Sequence, residues 1–432
     1  NMKKIFQYIM LAVVTIVMAS CTSDIEETTA TTGKSNVQLV VGEFPAFGDS
    51  QTRAIGTPDE GKTSWAEGDE LLLEMTSKTF GTKYAAFTYN GSSWELTSGE
   101  LSYKEDEVPT FPHVYYAPNY KWEAGKLVLK EGKVAGTDEY IEGNARITGN
   151  GEPITVSFAG ATRNYSRLRI ATMPNKPITV AISIYTPAGS SDMKWDQNYA
   201  LTSDEKGNAY LYGTFENNSE VTVKYRGASL ATHKFSKRTE NAKSYALDAT
   251  VISANSAEEI KSAIEQKVAD GKTYINLMLA PDVDEETLDA IHIGLLEGDA
   301  RDGTINLTLI GCKKIPSGGF MYWKMLKSIA LPDVTEIAEK AFLDCTRLQK
   351  VVLGNLTKVY GKAGEKGIFE GCRTKDIDLV LSKDQKVMNG GETEGGYCWT
   401  ADIKDYCGSD EHNGRVFLDY DFKSITCVYP VP

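Results

Sequence analysis

The chain has 432 residues, 41% hydrophobic and 24% charged, which is a globular composition long enough for two or three separately cored domains. Lys and Arg total 46 against 59 Asp and Glu, and the formal net charge of -13 makes binding to nucleic acid or to an anionic lipid surface unfavourable. The 4 histidines share no short metal-ligand spacing. The sequence therefore predicts an acidic protein without a metal site or a cofactor.

The first residues have the pattern of an export signal. Lys3 and Lys4 precede an apolar run over residues 9–19, which is shorter than the roughly 20 residues of a membrane-spanning helix. Small residues stand directly before Cys21, and this resembles the lipobox of bacterial lipoproteins, whose cysteine becomes the acylated first residue. The resemblance implies a signal peptide over residues 1–20 and lipidation of Cys21. An ordinary secretory signal with an incidental cysteine is the alternative.

Residues 21–35 are polar and have the composition of a disordered tether. Asp24, Glu26 and Glu27 follow the cysteine closely and resemble the signal that sends lipoproteins to the outer face in some Gram-negative anaerobes. The expected location is the cell outer membrane, exposed at the surface, with membrane contact through the lipid anchor only. The alternative is a solvated linker that any lipoprotein could carry.

Residues 36–250 consist of short β-prone segments separated by turn-forming residues, and no part holds a helical period for three turns. Asn90-Gly91 is typical of a tight hairpin. The spacing predicts a mainly β fold with two Ig-like antiparallel sandwich domains, residues 36–150 and 151–250. The expected strands lie at residues 37–41, 70–75, 84–89, 127–129, 154–158, 167–171, 178–185, 209–215, 221–225 and 245–251.

Four short motifs stand out in this region: Thr52-Arg53-Ala54, Trp65-Ala66-Glu67-Gly68-Asp69, Val114-Tyr115-Tyr116-Ala117-Pro118 and Tyr165-Ser166-Arg167-Leu168-Arg169-Ile170. Together they resemble the fimbrillin-like surface proteins, the subunits or accessory parts of type V pili, which implies two transthyretin-like sandwiches. Stalk subunits of that family lose an N-terminal strand by cleavage after an arginine, and the groove then accepts a strand from a neighbour. The bond that corresponds here joins Arg53 to Ala54. The alternative is that Arg53 is a solvent-facing loop residue.

Two helices are expected at the start of residues 251–432. A capping-box pattern from Ser256 starts the first, and Gly271 ends it. The second begins at about Asp284, and a strand over residues 274–279 lies between them. Each helix carries one apolar stripe, which predicts that both pack on a core.

A period of 22 residues follows, and it is the strongest pattern in the chain. The third unit carries an insertion of 5 residues. Residues 326–345 closely resemble the BspA-type leucine-rich repeat, which implies that residues 251–432 form a short leucine-rich repeat solenoid with capping segments. Stacked units of this kind bury a continuous apolar column. The expected core positions are Leu307, Leu309, Ile315, Phe320, Leu326, Ile329, Leu331, Ile337, Phe342, Cys345, Leu348, Val351, Leu353, Val359, Phe369 and Cys372.

Six of the 7 cysteines lie beyond residue 300, and none forms a C-x-x-C pair. Cys345 and Cys372 occupy equivalent repeat positions, where a buried cysteine acts as a small hydrophobic residue. Cys398, Cys407 and Cys427 cluster near the C-terminus and could include a disulfide after export. Their pairing stays open.

Residues 47–50 resemble the first block of GDSL-type esterases, with Ser50 as nucleophile, and the spacing of Asp289 and His292 resembles the last block. The G-x-N-D block that supplies oxyanion donors is missing, and no alternating strand and helix pattern intervenes. An esterase is therefore a remote alternative, and the sequence predicts a protein without enzymatic activity.

The combined pattern predicts a surface-displayed lipoprotein that acts as an adhesin. We expect it to bind a host or bacterial surface protein or a glycan through its repeat and sandwich surfaces. The competing hypothesis is a tip or anchor subunit of a type V pilus, joined to pilus subunits by strand addition. No nucleic-acid partner is expected.

Overall fold

The computed structural model describes residues 37–47, 61–104, 107–149, 152–193, 195–360, 367–382, 392–393, 396–398 and 416–428. Of the residues that the structure describes, 43% lie in strands and 9% in helices, which confirms the expected mainly β fold. Within these ranges no helix is both long and apolar enough to span a membrane.

The first sheet has seven strands in the order β1-β9-β8-β5-β2-β3-β4. A separate hairpin of β6 and β7 lies beside it, and an apolar cluster that includes Leu71, Leu73, Phe87 and Phe158 forms the core. The sheet includes strands on both sides of the expected division near residue 150. The strands are β1 Leu39–Val41, β2 Glu70–Ser77, β3 Gly81–Tyr89, β4 Trp94–Gly99, β5 Thr110–Tyr116, β6 Tyr120–Glu123, β7 Lys126–Leu129, β8 Ile141–Arg146 and β9 Ile154–Thr162.

Asn90 shapes the β3–β4 connection as a four-residue turn, longer than a two-residue hairpin. Tyr89 pairs with Trp94 across the strands. The Asn90 carboxamide oxygen accepts hydrogen bonds from the backbone N–H groups of Ser92 and Ser93, at 3.0 and 2.8 Å. The side-chain oxygen of this asparagine therefore takes the place of a backbone carbonyl as the acceptor for the N–H groups of the turn.

Two four-stranded sheets follow, in the orders β12-β14-β10-β17 and β13-β11-β15-β16. Residues 178–185, expected as one strand, divide at Ile184, which has a φ of 50°. The strands on either side of this residue belong to different sheets, and both sheets contribute to one apolar cluster. The strands are β10 Ser166–Ala171, β11 Pro177–Ile182, β12 Tyr185–Pro187, β13 Gln197–Thr202, β14 Asn208–Phe215, β15 Glu220–Tyr225, β16 Ala228–Lys234 and β17 Ser244–Asp248.

The remaining residues build a parallel sheet in the order β18-β19-β20-β22-β24-β26-β31 and a smaller sheet in the order β21-β23-β25-β28-β27. In the pairs β22–β24 and β23–β25 the partners stand 22 residues apart, as Ile329 does from Val351 and Ile337 from Val359. The strands are β18 Ile252–Ser253, β19 Tyr274–Met278, β20 Ile305–Ile310, β21 Lys314–Ile315, β22 Leu326–Leu331, β23 Glu336–Ile337, β24 Lys350–Leu353, β25 Lys358–Val359, β26 Asp378–Ser382, β27 Glu392–Thr393, β28 Gly396–Cys398, β29 Val416–Phe417, β30 Tyr420–Asp421 and β31 Ser424–Val428, with a 3-10 turn at Thr374–Asp376.

Two α-helices, α1 at Ala257–Ala269 and α2 at Glu285–Glu297, confirm the capping signals. The Ser256 side chain accepts a hydrogen bond from the N–H of Glu259, and the Asp284 side chain accepts one from the N–H of Thr287. Each cap satisfies a backbone donor that the first turn of a helix leaves unpaired. The apolar stripes of both helices join the hydrophobic cluster of the repeat.

Candidate functional site

The repeat positions expected from the sequence lie in the interior. From Leu307 to Phe369 they are at most 3% exposed, and Cys372 is half-buried against the same cluster. The rings of Phe320, Phe342 and Phe369 stack in sequence, with centroids 5.4 and 5.2 Å apart. These side chains form the buried core shared by the repeat units and are therefore not available to a ligand.

The thiols of Cys345 and Cys372 each donate a hydrogen bond to the backbone of the preceding repeat unit. Cys345 Sγ donates to the carbonyl oxygen of Phe320 and Cys372 Sγ to that of Phe342, both at 3.0 Å. Burial raises the pKa of Cys345, and it raises the pKa of Cys372 to about 12. Both groups are therefore protonated and unreactive in the folded chain.

His292 packs against the first coil. Its ring stacks on the ring of Trp323 with the centroids 4.6 Å apart, and burial lowers its pKa. Its expected esterase partner Ser50 lies outside the described residues. The position of His292 is explained by packing between α2 and the repeat.

One face of the parallel sheet is covered by the turn between β15 and β16. Ala228 at this turn packs on Ala330, Val352 and Val380. A Cβ atom added to Gly227 would lie 3.0 Å from Val428 Cγ2. The broad sheet surface of the repeat is therefore partly closed to a ligand by its own chain.

Polar contacts extend this cover. The Arg226 guanidinium bonds to the Asp333 carboxylate, which also accepts from the N–H of Gly311 at 2.9 Å. Farther along the sheet, the Asn276 side chain donates to the backbone carbonyl of Leu230 at 2.9 Å. These bonds fix the relative position of the two segments.

An open pocket lies between the first sheet and the segment that follows β12. We call it the joint pocket. Its volume is about 390 Å³, within the range of about 300–1,000 Å³ that small-ligand sites have. Its polar lining includes Tyr140, Glu142, Asn164, Tyr165, Thr186, Ser190, Ser191 and Thr214.

A buried ion pair supports the floor of the joint pocket. Arg163 donates from Nε and from a terminal nitrogen to the two carboxylate oxygens of Glu139, at 3.1 and 2.9 Å, and these side chains are 5% and 8% exposed. Tyr165, which lines the pocket, donates its hydroxyl hydrogen to Glu139 and accepts from the N–H of Tyr140 at 2.9 Å. Burial raises the pKa of Tyr165 well above its usual value, so this phenol stays a donor. The wall is thus positioned before any ligand arrives.

A glycine brings the two sides of the pocket together. Gly189 has a φ of 78°, and a Cβ atom there would lie 2.5 Å from Tyr120 Oη and 2.6 Å from Tyr140 Cδ2. Only glycine combines that backbone conformation with so close an approach to aromatic rings. The turn that contains Ser190 is therefore held directly against strand β6 and the residue that precedes β8.

Aromatic rings, half-buried except for the exposed His113, extend from the pocket along the outer face of the first sheet. We call Tyr84, His113, Tyr115, Trp122 and Tyr140 the aromatic band. Adjacent centroids lie 4.7 Å apart for Tyr84 and Trp122, and 5.4 Å apart for Tyr115 and Tyr140. His113 stacks on Tyr115, and its Nδ1 lies 2.8 Å from a carboxylate oxygen of Glu142. The carboxylate of the pocket thus touches the band as well.

The sequence patterns did not predict this site. Two motifs quoted for the family resemblance contribute to it, through Tyr115 and Tyr165, but their spacing indicated only strands. The polar residues of the lining belong to segments distant in sequence, such as Glu142 and Ser191. A concentration of tyrosines between Tyr115 and Tyr140 was the available signal.

Several expected sites lie outside the described residues: Cys21, Arg53 and Ala54. Cys427 is disulfide-bonded, and its partner is not among the described side chains. In the part of the chain that the structure describes, no three His, Cys, Asp or Glu side chains gather to form a metal site.

No protein-family model and no curated protein matches the chain. A solved structure from Bacteroides fragilis NCTC 9343, named "putative cell adhesion protein", is similar over 50% of this chain and 92% of that chain, with 12% sequence identity and a TM-score of 0.26. A likeness at that TM-score supports no argument about the site.

Proposed function

We propose that the chain is a lipid-anchored protein of the cell outer membrane that is displayed at the surface and binds macromolecular partners as an adhesin. Its first two regions are proposed to form transthyretin-like or Ig-like sandwiches, and the 22-residue coils a short leucine-rich repeat solenoid. The partner is a host or bacterial surface molecule. Anchoring by Cys21 would place these regions outside the cell.

The observation that carries this proposal is the joint pocket with the aromatic band beside it. Half-buried aromatic rings together with convergent polar groups are typical of binding surfaces, because a ring gives a large contact area at low entropy cost. The pocket opens on the outer face of the first sheet, where a large molecule can reach it. The covered face of the repeat favours this surface over the solenoid sheet as the binding region.

Adhesion of whole cells tests the proposal. Cells that display the chain should adhere to host-cell monolayers several-fold more than cells that lack it, and soluble chain should compete. Cys21→Ser should abolish surface display, measured with an antibody on intact cells. Equal adhesion with and without the displayed chain would contradict the adhesin. Hydrolysis of p-nitrophenyl acetate that is lost in Ser50→Ala would instead support the esterase alternative.

A specific observation supports a pilus subunit as the second candidate. Strand β1 precedes Arg53, lies at one edge of the seven-stranded sheet and pairs parallel with β9. Cleavage after Arg53 and loss of β1 would uncover the edge beside Ile154 and Val156. Such an edge can pair with a strand from another chain.

A further inference from the structure

We infer that the joint pocket binds a neutral saccharide unit, which rests on the proposed binding function and names its ligand class. Three features of the pocket support this ligand class: the chemistry of the lining, the nearby rings and the rigidity of the walls. Each of these is independent of the family resemblance.

The lining favours a polyhydroxylated ligand. Hydroxyl groups of Thr186 and Ser191 each offer a donor and an acceptor, and the Asn164 carboxamide offers both as well. The Ser190 hydroxyl already bonds to the backbone of Asp192. Glu142 adds a carboxylate, which accepts hydrogen bonds only. A sugar ring presents hydroxyl groups that donate and accept in several directions, so it matches this mixture.

The same lining disfavours other ligand classes. Among the described residues that line the joint pocket there is no Lys, Arg or His, so a phosphate or a sulfate would find no positive charge to neutralise it. The nearby Arg163 directs its guanidinium to Glu139 and to the carbonyl of Pro45. A wholly apolar ligand would leave the hydroxyl and carboxylate groups without partners, which costs binding free energy.

The aromatic band supplies the remaining feature of a saccharide site. Tyr140 belongs to both the pocket lining and the band, and its ring lies 5.4 Å from that of Tyr115. The C–H bonds of a sugar carry partial positive charge and pack on the electron-rich faces of aromatic rings. The polar pocket and these rings together would suit the hydroxyl groups and the C–H face of one sugar unit.

The pocket walls need little rearrangement on binding. Tyr165 is held by Glu139, and Gly189 holds its turn against Tyr120 and Tyr140. Preformed walls lower the entropy cost of binding a small, strongly hydrated ligand. A second cavity of about 370 Å³ is less suited, because Lys423 there already pairs with Asp378 at 2.9 Å.

The test uses the full chain in a detergent without a sugar headgroup, applied to an array of immobilised neutral and sialylated oligosaccharides and extended peptides. We expect binding to at least one neutral oligosaccharide. Ser191→Trp fills the pocket from an exposed position and should weaken that binding by about tenfold or more. Glu142→Gln keeps the shape of the side chain and should weaken it by about threefold or more. Ser98→Trp, on the exposed strand β4, is the matched control and should leave binding unchanged.

Three results would overturn the inference: no oligosaccharide bound, binding to sialylated glycans or peptides alone, or neutral-sugar binding that neither Ser191→Trp nor Glu142→Gln weakens. Thermal unfolding of each variant shows that the chain remains folded. The cell-adhesion assay separates this inference from the proposed function. Adhesion without saccharide binding contradicts only the ligand class, whereas equal adhesion of displaying and non-displaying cells contradicts the adhesin itself.

Discussion

Tyr140 and Gly189 meet so closely that a Cβ atom at residue 189 would lie 2.6 Å from Tyr140 Cδ2. The contact joins the residue that precedes β8 of the first sheet to the turn after β12, although the two positions are 49 residues apart in sequence. It also forms one side of the joint pocket. The shape of the candidate site therefore depends on the absence of a side chain.

Gly189→Ala is expected to lower the free energy of unfolding by about 2–5 kcal/mol, because left-handed backbone costs about 1–2 kcal/mol and overpacking about 1–3 kcal/mol. Gly132→Ala is the matched control, since Gly132 has a φ of 72° and no atom within 4 Å of the added Cβ. Gly132→Ala should lower the free energy of unfolding only by the cost of the left-handed backbone. Urea unfolding of both variants measures the difference, and equal losses would contradict a packing role for Gly189.

Local signals predicted the helices well. The cap at Ser256 and the apolar stripes act within a few residues, so α1 and α2 begin where the sequence indicates. The 22-residue spacing is also a local signal that repeats, and the structure pairs Ile329 with Val351. Such features need no knowledge of distant parts of the chain.

Features that depend on distant packing were not predicted. Residues 178–185 are continuously β-prone, yet Ile184 has a φ of 50° where the chain passes from one sheet to the other. Nor does a repeat pattern show that Ala228 covers Val352. The joint pocket is of the same kind, because its hydroxyl groups become neighbours only after the sheets have packed.

Thiol chemistry distinguishes the cysteines of the repeat from that of the last strand. At pH 8, iodoacetamide should leave Cys312, Cys345 and Cys372 unmodified in the folded chain, because burial raises the pKa of each, to about 12 for Cys312 and Cys372. Denaturation without reductant should expose all three, whereas Cys427 should react only after reduction. Mass spectrometry of peptides gives the assignment, and alkylation of Cys427 without reductant would contradict its disulfide.

Asp248 should make the stability of the chain depend on acid pH. Burial alone would raise its pKa, but hydrogen bonds from Thr250 and the charges of Lys267 and Lys272 hold it below the usual value. A lowered pKa in the folded state means that the carboxylate stabilises the fold above about pH 4, and that this is lost as pH falls through the folded pKa.

Asp248→Asn should therefore lower the free energy of unfolding by about 1–2 kcal/mol at pH 7 and have a smaller effect as the pH falls below about 4. Glu131→Gln, at an exposed position, controls for the loss of one surface charge. Urea unfolding from pH 7 to pH 3 checks the prediction. An effect of Asp248→Asn that is constant over this range would show that the charge of Asp248 does not stabilise the fold.

The edge strand β1 distinguishes the adhesin from the pilus subunit. Leu39 and Phe44 are 8% and 7% exposed, and the Trp65 indole donates to the carbonyl of Gly42 at 2.8 Å. Phe47 is buried as well. Release of this segment should lower the free energy of unfolding by about 4.5–9 kcal/mol, because each of the three buried apolar side chains contributes about 1.5–3 kcal/mol. A peptide of residues 37–47 should restore that stability, and a scrambled peptide should not.

Treatment of cells that display the chain with an Arg-specific protease distinguishes the adhesin hypothesis from the pilus-subunit hypothesis. A pilus subunit should be cut at Arg53 before any other arginine, and Arg53→Lys should prevent the cut while Arg146→Lys should not. The fragment that begins at Ala54 should then bind the peptide of residues 37–47 after its own segment is removed in urea. If Arg53 is cut no faster than Arg146, or if the peptide does not bind, strand addition at β9 is contradicted. Because release would uncover the edge beside Ile154 and Val156, a chain that keeps β1 has this edge paired, and an uncut Arg53 on cells would point to a pilus anchor or a free-standing adhesin.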